Sequence, residues 1–292
     1  MAEIWTSLRL VAWTQEFFAK KGVDAPRLTA ELLLAHALGC DRVRLYLDFD
    51  KPVQERELGA FRALVRRRAE GEPTAYVLGR REFFGRPFDV TPAVLVPRPE
   101  TEHLVEAALE VLSGAPAEPG AAAALDLCTG SGAIAVSLAL GRPGTRVVAT
   151  DVSGEALEVA RANAGRLGAV VEFAHGDLWS AVHAADRFDV VVSNPPYVPT
   201  GELAGLSREV RREPCIALDG GPDGLDVLRR IVAGAPAHLR PGGALLVEMH
   251  ESHAERVPAL CLEAGFESAV ARKDLAGLPR YTVARLPGGR VV

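Results

Sequence analysis

From residue 123 onward, short apolar runs of strand length alternate with segments of helical period, and no other feature limits the fold as much. The runs lie at 123–128, 146–151, 170–174, 188–193 and 244–249, with later candidates at 267–272 and 281–286. Helix-length segments fill the gaps near 132–140, 154–167, 224–237 and 252–264. Strands separated by helices need crossover connections of one hand, which lay the strands parallel and put helices on both faces. The pattern predicts an α/β fold: a doubly wound, mostly parallel, seven-stranded sheet, with no internal repeat.

The chain before this region is of another kind. Apolar residues recur at helical spacing over residues 5–70, in segments punctuated by Pro26 and Pro52. Residues 74–97 alternate apolar and polar side chains around Gly79, Gly85 and Pro92, the pattern of a short hairpin. A helix is expected at 100–112 and a loop at 113–123. The organisation predicted is therefore a small helical domain at 1–73, a hairpin linker at 74–97 and the sheet domain at 98–292. Arg62, Arg66, Arg67 and Arg68 cluster at one helix end, either as a solvated terminus or as a docking surface.

Composition restricts the function classes. With 48% hydrophobic and 24% charged residues the chain is globular rather than disordered. The longest uncharged run, 127–141, is too short to span a bilayer. The start, MAEIWTSLRL, lacks the basic-then-apolar pattern of a secretory signal, so a cytoplasmic protein is expected. Cysteines at 40, 128, 215 and 261 form no closely spaced pair, which predicts free thiols and no metal. His250 and His253, lacking a third ligand, read as surface histidines. Residues 1–97 carry 15 basic and 13 acidic side chains, and residues 98–292 carry 18 and 25. The acidic second half argues against a nucleic-acid partner.

Two motifs carry chemistry. Asp126, Cys128, Thr129, Gly130, Ser131 and Gly132 form a glycine-rich turn between a strand and a helix, where the backbone can approach a ligand and the helix start favours negative groups. Asp151 ends the next strand, where a carboxylate can accept hydrogen bonds from ribose hydroxyls. The second motif, Asn194, Pro195, Pro196 and Tyr197, follows the apolar strand at 188–193. Its prolines fix φ and remove two donors, so the Asn194 and Pro195 carbonyls are offered as acceptors. Asn194 adds an amide and Tyr197 an aromatic face. This is a receptor for a planar group bearing NH₂: adenine, cytosine and glutamine all qualify.

At these residues the chain resembles the class I S-adenosylmethionine-dependent methyltransferases, Rossmann-like enzymes that modify amino groups conjugated to a π system. More of it is similar to one family. The segments AYVLG at 75–79, EFFG at 82–85, VLVPRPETE at 94–102, EPCIAL at 213–218 and GGPDGLD at 220–226 resemble the peptide chain release factor glutamine methyltransferases, the PrmC/HemK family. The resemblance implies S-adenosylmethionine held by the 126–132 turn and Asp151, with Asp177 and Leu178 at the adenine. It implies Asn194 touching cofactor and substrate, with Pro195 and Tyr197 completing the catalytic motif. The substrate implied is the glutamine of the GGQ motif in class I release factors. A ribosomal-protein glutamine or a nucleic-acid base remains the alternative. Three places depart from the family: Cys128 stands where glycine is usual, Met249-His250 follow Glu248 where an apolar residue and glycine are common, and the tail around Asp274–Tyr281 is a loose match.

Overall fold

The computed structural model describes residues 5–115, 118 and 120–288, so the loop expected at 113–123 falls partly outside the described residues. The chain divides into two units, Met1–Gly79 with Ser207–Arg212, and Arg80–Leu206 with Glu213–Val292.

The first unit is built from α1 (Ser7–Lys20), α2 (Pro26–Leu38), α3 (Arg42–Leu47), α4 (Glu55–Ala69) and α5 (Thr74–Leu78). Leu10 and Phe18 of α1, Leu33 and Leu34 of α2, and Leu58 and Phe61 of α4 close one apolar core. The short α3 carries too few turns to show a period, and α5 is a helix where the alternation from residue 74 onward predicted the start of the hairpin. The arginine cluster divides in two. Arg68 is only 2% exposed and pairs with Glu209, while its Nε donates to Thr74 Oγ1 at 3.0 Å. Arg67 pairs with Glu72 at 2.8 Å. Arg208 and Arg212 donate to the Glu70 carbonyl at 3.3 and 3.2 Å, which is how residues 207–212 join this unit.

The second unit opens with a hairpin, β1 (Arg80–Phe83) and β2 (Arg86–Asp89). This hairpin is not a free-standing linker. Phe83 and Phe88 are buried in the core of the sheet unit, and the Asp89 amide donates to Asn163 Oδ1 at 2.8 Å. The boundary therefore falls at Gly79, six residues beyond the expected one. A single turn at Pro99–Thr101 leads into α6 (Glu102–Ser113). Then follow β3 (Ala123–Leu127), α7 (Ala133–Gly141), β4 (Arg146–Asp151), α8 (Gly154–Leu167), β5 (Glu172–His175), β6 (Phe188–Ser193), α9 (Asp226–His238), β7 (Leu239–Glu248), α10 (Arg256–Glu263), β8 (Ser268–Lys273) and β9 (Pro279–Arg285).

The sheet order is β5-β4-β3-β6-β7-β9-β8, with β9 antiparallel to both its neighbours and the other pairs parallel. The strand period of two divides the core. Leu125, Leu127, Val191, Leu245 and Val247 face one layer with Leu228 and Ile231 of α9. Ala124, Val190, Val192 and Leu246 face the other with Leu104 of α6 and Val136 of α7. Covering both faces explains why these strands read as continuous apolar runs.

Candidate active site

The strand order reverses between β3 and β6, because β4 lies beyond one and β7 beyond the other. In doubly wound sheets, ligands bind outside the carboxyl ends of the strands at such a switch point. Leu127 pairs with Ser193 across this junction, and Ser193 Oγ donates to the Leu127 carbonyl at 2.7 Å. Residues 128–132 and 194–197 therefore leave the sheet side by side.

A cavity of about 470 Å³ opens at this edge, a size common among small-molecule sites. Of the residues expected from sequence, Cys128, Thr129, Gly130, Ser131, Asp151, Asp177, Leu178, Asn194 and Pro196 line it. Asp126, Gly132, Pro195 and Tyr197 stand behind its wall.

Those four support the lining residues. Asp126 is fully buried, and its Oδ2 accepts from Thr129 Oγ1 at 2.6 Å and the Ala135 amide at 3.1 Å. Burial pushes its carboxyl up to about 7. Gly132 has φ +81° and caps α7; a Cβ there would lie 3.1 Å from the Cβ of Ala160, so both the close helix packing and the conformation favour glycine. Pro195 is buried, and Tyr197 donates from its hydroxyl to Glu248 at 3.1 Å rather than offering an open aromatic face.

The lining itself is rich in fixed polar groups. Each oxygen of Asp151 accepts one backbone N–H, Oδ2 from Gly130 and Oδ1 from Ser153, both at 2.9 Å, and each keeps a further lone pair. Burial raises the Asp151 carboxyl against the opposing pull of these amides. Asp177 Oδ2 pairs with Arg230, which also lines the cavity, at 2.7 Å. At the start of α7 the amides of Ser131, Ala133 and Ile134 donate to no group among the described residues.

Two lining residues other than glycine hold positive φ, Cys128 at +61° and Leu178 at +49°. The left-handed conformation costs an L-residue about 1–2 kcal/mol, so Cys128 keeps the backbone of a glycine turn without a glycine. Burial raises its thiol far above the ordinary range, which makes it a packing group rather than a nucleophile.

Sequence reasoning missed four site residues. Thr101, Arg98 and Arg230 line the cavity, and Glu248 stands behind it. The signal for Thr101 and Arg98 lay in PRPETE, a motif read only as a mark of resemblance. The histidines need a correction: His253 is 7% exposed, with Nε2 3.1 Å from the Asp223 carbonyl, and is no surface residue. No cluster of metal-binding side chains occurs among the described residues.

Comparison with known proteins extends this picture. The chain matches the PrmC N-terminal domain over residues 9–79 and the methyltransferase small domain over residues 105–206. It is 47% identical to the release factor glutamine methyltransferase of Geobacter sulfurreducens, over 99% of this chain and 98% of that protein. It is 48% identical to the Bordetella pertussis protein of the same name, over 88% and 94%. Among solved structures it is similar to a methyltransferase from Pyrococcus furiosus, with 23% identity, a TM-score of 0.52 and coverage of 70% and 91%. The 16S rRNA methyltransferase RsmC of T. thermophilus, in complex with AdoMet and guanosine, also gives 23% identity and a TM-score of 0.52, over 72% of this chain and 49% of that one. The structures share the sheet, and the near-full-length relatives carry the finer relation: this chain belongs to the release factor glutamine methyltransferase family.

Proposed function

We infer that this enzyme transfers a methyl group from S-adenosylmethionine to the side-chain amide nitrogen of the GGQ glutamine in a class I peptide chain release factor. The observation that carries this reading is the side-by-side exit of a nucleoside-type turn and an asparagine-led acceptor motif from β3 and β6.

The residues fit the cofactor. Asp151 keeps lone pairs for two ribose hydroxyls, and the amides at the start of α7 suit a carboxylate. When bound, S-adenosylmethionine supplies a methyl on a sulfonium, whose carbon–sulfur bond breaks as the nitrogen–carbon bond forms, leaving a neutral thioether and a cationic nitrogen that loses a proton. An amide nitrogen is a poor nucleophile because its lone pair is delocalised, so the protein's task is to orient it. Holding two reactants in attack geometry can contribute roughly 7–11 kcal/mol. Asn194 Oδ1 and the neighbouring carbonyls accept from the amide N–H groups and stabilise charge developing on nitrogen. An N-protonated amide is a strong acid, so water suffices to take the proton, and no histidine or lysine lines the cavity.

The helical unit docks the protein substrate outside its glutamine loop. Arg62 and Arg66 are exposed beside a groove of about 580 Å³ that also carries Trp13 and Phe17. The enzyme acts in the cytoplasm, without nucleic acid as a partner. No helix among the described residues is long and apolar enough to cross a membrane.

Incubation with a purified release factor, S-adenosylmethionine and, separately, total RNA tests the reading. The GGQ peptide should gain one methyl group on its glutamine by mass spectrometry. Methyl incorporation into RNA with an unmodified GGQ peptide would overturn it.

A further inference from the structure

Thr101 and Glu248 come from opposite ends of the sheet unit's sequence, one from the turn at Pro99–Thr101 and the other from the end of β7. Both are nearly sealed from solvent, at 4% and 3% exposure. Thr101 Oγ1 donates to Glu248 Oε2 at 2.6 Å, and the Tyr197 hydroxyl donates to Glu248 Oε1 at 3.1 Å. Asn194 Nδ2 then donates to Thr101 Oγ1 at 3.1 Å.

The chemistry of the donors gives this chain a direction. Burial raises the Glu248 carboxyl, while the hydrogen bonds from Thr101 and Tyr197 favour its ionised form; in that form it can only accept, so both hydroxyl protons are committed to it. A hydroxyl whose proton is committed has only lone pairs left to offer. Thr101 can therefore meet the NH₂ end of the Asn194 amide but not its oxygen. The opposite end, Asn194 Oδ1, accepts from no group among the described residues, and Asn194 and Thr101 both line the cavity.

We propose that Thr101 and Glu248 are positioning residues that fix which way round the Asn194 amide stands, so that its oxygen rather than its NH₂ meets the substrate's N–H. The proposal rests on the methyl-transfer reading for its consequence but not for its structural claim. Reversal of the amide would set NH₂ against NH₂ at the reacting nitrogen.

The sequence supplies a direct probe, because the chain contains only two asparagines, Asn163 and Asn194. Asn163 Nδ2 donates to the Asp89 and Ser131 carbonyls, both at 2.9 Å, and serves as an internal control. With asparagine selectively labelled with ¹⁵N, the full-length protein should show two side-chain NH₂ pairs. Thr101→Val, which keeps the shape and removes the hydroxyl, should shift the Asn194 pair and accelerate its hydrogen exchange while leaving Asn163 in place. Thr101→Ser should restore the native resonances. In turnover assays Thr101→Val should lower kcat about 10- to 100-fold, the scale of a misplaced reacting group, with little change in S-adenosylmethionine affinity. In an Asn194→Ala background it should cost less than about twofold, because coupled residues are non-additive. An Asn194 pair unmoved by Thr101→Val, or equal losses in both backgrounds, would overturn the proposal. Full activity of Asn194→Ala would instead overturn the role of Asn194 in methyl transfer, whatever the NMR result.

Discussion

Asp126 and Asp151 lie on neighbouring parallel strands, and their surroundings give them opposite duties. Asp151 faces the cavity with both oxygens held by backbone amides and lone pairs to spare. Asp151→Ala should weaken S-adenosylmethionine binding by about 1.5–3 kcal/mol, or roughly 10- to 100-fold, the worth of hydrogen bonds to a charged group. Titration calorimetry checks this, and unchanged affinity would remove the residue from the site. Asp126 is sealed behind the turn with Oδ1 unpartnered among the described residues, and burial lifts its carboxyl to about 7. An acid whose folded pKa exceeds its unfolded value, about 3.9, is a proton binder in the native state between those limits. Its contribution to stability is full below pH 4 and is lost as pH rises through 7. Asp126→Asn mimics the neutral form throughout, so it should match wild type near pH 4 and exceed it above pH 7, by a gap on the order of 4 kcal/mol. Denaturant unfolding across that range decides the matter; a constant difference would sink the argument.

At the scale of elements, the cavity is walled by loops that the sequence separates and buried acids join. Glu213 is 6% exposed and holds residues 96–98 against 213–217, accepting from the Val96 amide at 3.0 Å and from Arg98 at 2.6 Å. Glu213→Ala leaves the Val96 donor without its acceptor and should destabilise the protein by about 2–3 kcal/mol, whereas Glu213→Gln, which keeps an acceptor, should cost about 1. Equal losses in chemical denaturation would mean the acceptor is not what matters. None of this was legible as spacing. The strands β3, β4 and β6 were, because burial on both faces writes a continuous apolar run, and so was the edge at which Asn194 emerges. Pairs such as Thr101 with Glu248, or Glu213 with Val96, are set by which strand ends the sheet order brings together, and no local pattern records them. The positive φ of Cys128 was hidden for a related reason: side-chain identity there contradicts the conformation that the turn imposes.

On the scale of the whole molecule, the four arginines of one sequence cluster stand in different surroundings. Arg68 cannot greet a partner, since it is buried against Glu209 and Thr74 within the helical unit. Replacing it would damage that unit and give an uninformative loss of activity. Arg67 is likewise engaged with Glu72. Arg62 and Arg66 remain: both are exposed, and among the described residues the one ion pair that either of them makes is Arg62 with Glu55 at 3.7 Å, a surface contact worth little. With Trp13, 52% exposed, they give the groove an aromatic and cationic character, the combination enriched at protein interfaces. Under the proposed docking role, a free glutamine peptide would use only the sheet unit's cavity, whereas an intact release factor would also use this groove. Paired substitution Arg62→Glu and Arg66→Glu in the full chain should therefore raise KM for the whole factor by about tenfold, the effect of losing roughly 1.4 kcal/mol of docking energy. It should leave kcat, the thermal midpoint and the kinetics on a short GGQ peptide unchanged. Because rim charges act largely on encounter, the difference from wild type should also shrink as ionic strength rises. Identical losses on peptide and whole factor would assign these arginines to the stability of the fold and remove the helical unit from substrate recognition.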